Sequence, residues 1–320
     1  MNPPLATAEN ITIWHWLGFL AFVLLFLALD LGVLNRRPHK ISFKEALAWS
    51  TVWVCLALLF GLVIAPAVVT NWKLDQTVDF ITGYVIELSL SMDNVFVIAL
   101  IFSHFLVPEK YQHRVLFWGI LGALVMRGAM IGLGGALVHK FAWLLVALGV
   151  FLVFSGLKMI FTREKEPDPE RNLIVRLARK FFPVTTEFDG QKFLTVQNGS
   201  RALTPLMLVL LLVETTDLIF ALDSIPAIFA VTTDPFIVFT SNVFAILGLR
   251  SLYFVLAGAI QYFRYLKVGL SVVLVFIGAK MVVVKYVHIP TPISLGVVVL
   301  IIATSILASV LVTRRQTQVR

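Results

Sequence analysis

The chain has 320 residues, of which 59% are hydrophobic and 14% charged, with a formal net charge of +8. This composition excludes a large soluble domain and places the chain among integral membrane proteins. The positive charge is spread over short loops beside apolar segments, so it marks orientation and contact with lipid headgroups and is not evidence for a nucleic-acid partner.

In chain order, nine apolar runs reach the roughly 20 residues that span hydrocarbon. They cover residues 12–34, 46–69, 79–102, 115–138, 141–161, 204–231, 235–260, 266–286 and 292–312. The first is too long, and lies too directly before a basic segment, for a cleaved signal peptide. The predicted fold class is therefore an all-α polytopic membrane protein, one transmembrane domain over 1–320. With the N-terminus outside, the inner loops would hold nineteen of the 26 Lys and Arg, among them Arg36, Arg37, Lys110, Arg114 and Arg264, while the outer side keeps Lys73, Lys140 and Lys285. This bias predicts an N-out, C-in topology. A lone Cys55 can make no intrachain disulfide and reads as a small buried apolar residue.

Acidic residues recur inside the spans in a repeated pattern. Glu87-Leu-Ser-Leu-Ser-Met-Asp93-Asn94 and Asp217-Leu-Ile-Phe-Ala-Leu-Asp223-Ser224 each place two carboxylates six residues apart, followed by a small polar side chain. Arg127 and Arg250 follow, each deep in the next span, and then Gly156-Leu-Lys158-Met159 and Gly278-Ala-Lys280-Met281. Two copies of a three-helix unit are thus predicted, spans three to five (79–161) and six to eight (204–286). Because three is odd, the second copy enters the membrane from the opposite face, which makes the repeat inverted, with a midplane site of the kind transporters use. Residues 1–78 and 287–320 supply peripheral helices, and 162–203 form a cytoplasmic loop with a basic amphipathic stretch, Leu173–Phe182, suited to the inner leaflet. After it comes a short hairpin turning at Asn198-Gly199.

Ionised groups in hydrocarbon cost about 2.5 kcal/mol or more each, so a chain that retains several is expected to hold or move a charged species with them. Asp30, Glu87, Asp93, Glu214, Asp217 and Asp223 face Arg127, Lys158, Arg250 and Lys280, six negatives against four positives. A bound divalent cation or two protons would neutralise the surplus. The donors are carboxylates, Asn94, Ser224, Thr215 and Thr216, hard oxygens that suit Mn2+, Mg2+ or Ca2+. Pro226 is expected to break its helix and free the Leu222 carbonyl beside Asp223. Six residues rotate the second carboxylate by about 120° from the first. Asp93 and Asp223 are therefore expected to meet across the pseudo-two-fold axis, with Glu87 and Asp217 pairing with Arg127 and Arg250. Lys158, Lys280 and Asp30, near span ends, also read as interfacial groups. No His-Glu-x-x-His, Gly-x-Ser-x-Gly or phosphate-binding Gly-rich motif occurs, so neither an enzyme nor a permanent cofactor is expected.

Ser91-Met-Asp-Asn-Val-Phe96, Ala221-Leu-Asp-Ser-Ile-Pro226 and Thr240-Ser-Asn-Val-Phe244 carry a resemblance to the TerC family of integral membrane proteins, nearest its Alx-type bacterial members. The resemblance implies export of a divalent metal, chiefly Mn2+, across the bacterial inner membrane, and kinship with the lysine-exporter superfamily. It assigns Asp93, Asn94, Glu214, Asp217, Asp223 and Ser224 to the metal site. Exchange for protons at the same carboxylates is the expected coupling. The alternative is a membrane-protein assembly or scaffold factor without transport activity, since family members are credited with both roles.

Overall fold

The computed structural model describes residues 11–29, 42–141, 143–161, 172–197, 199–257, 265–284, 286, 287 and 289–318, with side chains except at 29, 139, 257 and 313–318. Asp30, Arg36, Arg37, Asn198, Arg264 and Lys285 lie outside the described residues. The elements are α1 (Ile13–Leu29), α2 (Phe43–Leu59), a π-helical turn (Phe60–Ile64), α3 (Ala65–Val68), α4 (Leu74–His104), α5 (Glu109–Lys140) and α6 (Trp143–Phe161). Then come α7 (Leu173–Phe181), strands β1 (Leu194–Gln197) and β2 (Ser200–Leu203), α8 (Pro205–Phe229), α9 (Pro235–Ala257), α10 (Leu266–Val283) and α11 (Thr291–Gln318). Eight helices are long and apolar enough to cross a membrane, and α1 is a shorter apolar one. Every predicted span is met by a helix.

These segments are helical because they are apolar on all sides: in hydrocarbon only a helix or a closed barrel satisfies its own backbone. Polar side chains inside them follow the same rule. Thr82, Ser89, Thr215, Thr216 and Thr240 each donate to the carbonyl four residues back, at 2.6–2.7 Å. Thr215 and Thr216 were expected as cation donors; their hydroxyl protons are committed to the helix.

Pro226 was expected to break its helix and does not; α8 runs unbroken to Phe229. Proline removes one hydrogen bond, and packing of the neighbouring helices carries the segment past it. The irregular turn falls instead in α2, just before Pro66, where Ala65 N–H reaches the Phe60 carbonyl five residues back. Thr77 of α4 donates to the Gly61 carbonyl at 3.1 Å and supplies a partner beside the distortion. Cys55, expected to be buried, is exposed on α2, since the buried stripe of that helix is Ala46, Trp53 and Ala57.

The packing has a recognisable order. α6 packs on α10, α4 on α9 and α5 on α8, while α4 also meets α8 and α5 meets α9. This pattern is unchanged when the two three-helix units are exchanged. At the α6–α10 crossing the backbones touch: a Cβ on Gly278 would lie 2.6 Å from the Gly149 carbonyl, and one on Gly156 would lie 2.8 Å from that of Ser271. Gly278 and Gly156 occupy equivalent places in the two sequence copies, as do Gly149 and Ser271. α9 is almost wholly buried at the centre. α1 and α2 dress it with aromatic rings, Phe19, Phe60, Phe80, Phe236 and Phe244 forming one cluster.

The 172–203 segment covers one end. Asn172 caps α7 by accepting from Ile174 and Val175 N–H. Val175 is buried, while Leu173, Leu177 and Phe181 stay exposed. The hairpin pairs β1 with β2 antiparallel, and Gly199 takes φ +77°, as the expected Asn-Gly turn requires. Beside it, hydrogen bonds from Thr195 and Lys192 hold the Asp189 carboxyl below the usual carboxylate range.

Candidate functional site

α4, α5, α8 and α9 converge on one buried guanidinium. Arg127 of α5 is 2% exposed and forms an ion pair with Glu87 of α4. It also holds Asp217 of α8 in a two-point grip, Nε to Oδ2 at 3.1 Å and Nη2 to Oδ1 at 2.8 Å. Its Nη1 further donates to Asn242 Oδ1 at 3.1 Å and Ser224 Oγ at 3.3 Å. The acids have other donors as well: Asn242 and Ser91 donate to Glu87 at 3.0 and 3.2 Å, and Asn94 donates to Asp217 at 3.4 Å. One acceptor is left over. Asn94 Oδ1 is buried with no hydrogen-bond partner among the described residues.

Helical spacing explains this assembly. Glu87, Ser91 and Asn94 recur at intervals of four and three, so they share one face of α4, and Asp217 and Ser224 lie seven apart on one face of α8. Glu87 and Asp217 are the first acids of the two sequence copies, so the structure brings together the repeat-equivalent pair. The expected meeting was of the second pair. Asp223 instead turns to α6, where Ser155 donates to it at 2.8 Å and Lys158 lies within electrostatic reach. Asp93, six residues along α4 from Glu87, is half-buried.

The arginines also depart from expectation. Glu87 and Asp217 were expected to pair with Arg127 and Arg250, but Arg127 takes both. Arg250 places Nη1 3.0 Å from His113 Nε2 and, with Asp217, lines a small cavity of about 20 Å³. A single guanidinium between two carboxylates satisfies both where one acid per arginine would leave the acids apart. Glu214 lies three residues before Asp217, and its carboxyl fills the space over Gly122 that a Cβ would occupy. Among the described residues no three His, Cys, Asp or Glu side chains form a group that could hold a metal ion. The oxygens gather around Arg127 instead.

Two polar residues inside the helices escaped the sequence reading. Asn242 stands in the Thr240-Ser-Asn-Val segment but was not read as a site residue, and a lone amide in an apolar helix was the available signal. Asp79 was left out because the span was taken to begin there. α4 starts at Leu74, so Asp79 is inside the helix, near Thr232, Thr291 and Lys280. Each repeat lysine therefore faces an acid of the other unit, Lys158 with Asp223 and Lys280 with Asp79, although those two acids are not equivalent in the repeat.

Fold and site together define a multi-pass integral membrane protein with a charged network buried between two groups of helices. The chain belongs to the TerC family: residues 72–317 match the integral membrane protein TerC family. It is 54% identical over 301 residues to an uncharacterized membrane protein of Myxococcus xanthus, STKORF319, covering 93% of this chain and 92% of that one. It is 50% identical over 294 residues to Alx of Escherichia coli K12, a protein named provisionally as a membrane-bound redox modulator, covering 88% and 90% of the two chains. A membrane protein of Rickettsia bellii is 41% identical over 296 residues, covering 92% and 97%. No solved structure matches the chain.

Proposed function

We propose that the protein is a secondary transporter that exports a divalent cation, Mn2+ first among candidates, from the cytoplasm across the bacterial inner membrane in exchange for protons. One observation carries this reading: Glu87 and Asp217, one acid from each three-helix unit, meet inside the membrane domain among amide and hydroxyl oxygens. Buried carboxylates are costly unless paired, and a fold that lodges an acid pair where its two halves touch is suited to a cation that crosses between them. Oxygen donors favour Mn2+, Mg2+ or Ca2+, and the family resemblance favours Mn2+. The exchange-invariant helix packing supports an inverted repeat, and the basic inner loops support N-out, C-in. The exposed apolar face of α7, beside Arg176, Arg179 and Lys180, is suited to anionic inner-leaflet lipid. We propose no enzymatic activity. One copy of this chain, with a single cysteine, supplies no intramolecular dithiol couple for a redox role.

In this reading Asp93, Asn94, Glu214, Asp223 and Ser224 line the route with Glu87 and Asp217. Expression in a bacterium lacking its Mn2+ exporter should lower cellular manganese, and Asp93→Asn and Asp223→Asn should each abolish that effect while the protein still inserts. Unchanged cellular manganese with and without the parental protein would refute the reading.

Gly122→Ala gives a second test that leaves every acid in place. The new methyl would overlap the Glu214 carboxyl, which must swing away. Export should fall about tenfold, equivalent to roughly 1.4 kcal/mol. Gly132→Ala on the same helix, with nothing within 4 Å of the added carbon, should leave export unchanged.

A further inference from the structure

Arg127 stands where the cargo of the proposed transporter would be expected. The two carboxylates that meet between the units both bind its guanidinium, and so do the neighbouring Asn242 and Ser224 oxygens. A structural arginine binding one acid at a helix contact would not require this convergence of four helices. Asn94 adds a second observation. The residue is 3% exposed, and its Oδ1 has no donor among the described residues, although its Nδ2 donates to Asp217. The cluster thus offers one oxygen more than the guanidinium uses, and a hard cation with six or more oxygen ligands could use it.

Resting on the transporter reading, we propose that Arg127 is a tethered counter-cation: its guanidinium and the divalent ion occupy the Glu87–Asp217 acid pair in turn. The alternation follows from the oxygens. The guanidinium takes both Asp217 oxygens and Glu87 Oε1, so an ion can bind the pair only where the guanidinium withdraws. Two carboxylates with a divalent ion are then neutral, and the pair never stands without a cation. Arginine stays protonated in proteins, so the guanidinium cannot leave by losing its proton. It can leave only if its side chain, or α5 with it, moves away from α4 and α8. Cargo binding is thereby linked to a change in how α5 packs, and on the return step the guanidinium supplies the counter-charge of the acid pair.

The test uses full-length Arg127→Gln and Arg127→Lys proteins with Mn2+ as the probe. The Gln protein, freed of the internal competitor, should bind Mn2+ about tenfold or more tightly than the parent. Its melting temperature should rise more with added Mn2+ than the parent's, because the ion replaces the missing charge. In proteoliposomes it should still exchange labelled for unlabelled Mn2+ but lose net transport, since the empty acid pair has no cation for the return step. The Lys protein, which keeps a charge, should retain net transport. A Gln protein that binds Mn2+ no better than a parent that itself binds and transports would overturn the inference alone. So would one that fails to fold equally with and without Mn2+, since the ion would then not substitute for the guanidinium. A parent that neither binds nor moves Mn2+ would remove the transporter reading and this inference together.

Discussion

Asp217→Asn is expected to lower Mn2+ flux by about two orders of magnitude, roughly 3 kcal/mol of lost ion binding, in a protein that still folds. Asparagine keeps one oxygen to accept from Arg127 Nη2 and Asn94, while its amide nitrogen meets Arg127 Nε, so one donor loses its acceptor and stability falls without abolishing the fold. Glu87 alone still neutralises the guanidinium. What disappears is the second negative charge, without which a divalent ion cannot be balanced between α4 and α8. Asp217→Leu should behave differently. It removes both acceptors of the two-point grip and the acceptor of Asn94 Nδ2. Breaking a buried, hydrogen-bonded ion pair by deleting one partner costs about 3–5 kcal/mol, so the Leu protein should melt well below the parent. Flux in proteoliposomes and thermal denaturation in detergent separate the two. Equal flux for the Asn variant and the parent would exclude Asp217 from the ion path.

The second large effect is expected at the α6–α10 crossing. On Gly278 a side chain would meet the Gly149 carbonyl at 2.6 Å and the Val153 nitrogen at 2.8 Å. Both are backbone atoms, which cannot rotate away as a side-chain end can. Gly278→Leu must therefore push the helices apart along their whole contact. Overfilling an ordinary core site costs about 1–3 kcal/mol, and this one should cost at least the upper end. Gly156→Leu, against the Ser271 carbonyl, should be as damaging. The measurement is the yield of monodisperse protein and its melting temperature. Near-parental values for both variants would mean that the close approach does not hold the helices together.

The helices were legible in the sequence because an all-round apolar segment of membrane length has few alternatives. So was the repeat order of acids, arginines and Gly-x-Lys-Met. The choice of partners was not. Spacing along α4 places Glu87 and Asn94 on one face and Asp93 on another, but nothing in that spacing says which neighbour each face meets. Hence Glu87 and Asp217, read as acids for two separate arginines, turn out to share Arg127. Asp223, expected at the axis, bonds Ser155. Asn242 carried too weak a signal, because an amide in a buried helix is as often a packing element as a site residue. Asp79 was lost to a boundary: α4 has 31 residues, about 46 Å at 1.5 Å each, and overhangs the segment that hydropathy picks out. Pro226 shows the converse, since a strong local breaker signal was overridden by the helices packed around it.

The central claim is that this chain moves a divalent cation through the acids gathered between its two halves. Uptake of Mn2+ into inside-out proteoliposomes, with the parental protein beside Asp217→Asn, tests it most directly. The account predicts saturable uptake by the parent under an outward-directed proton gradient, opposite to the Mn2+ flux, and none above background by the variant. Absence of flux by the parent with Mn2+, Ca2+ and Mg2+, whether or not a proton gradient is imposed, would contradict it.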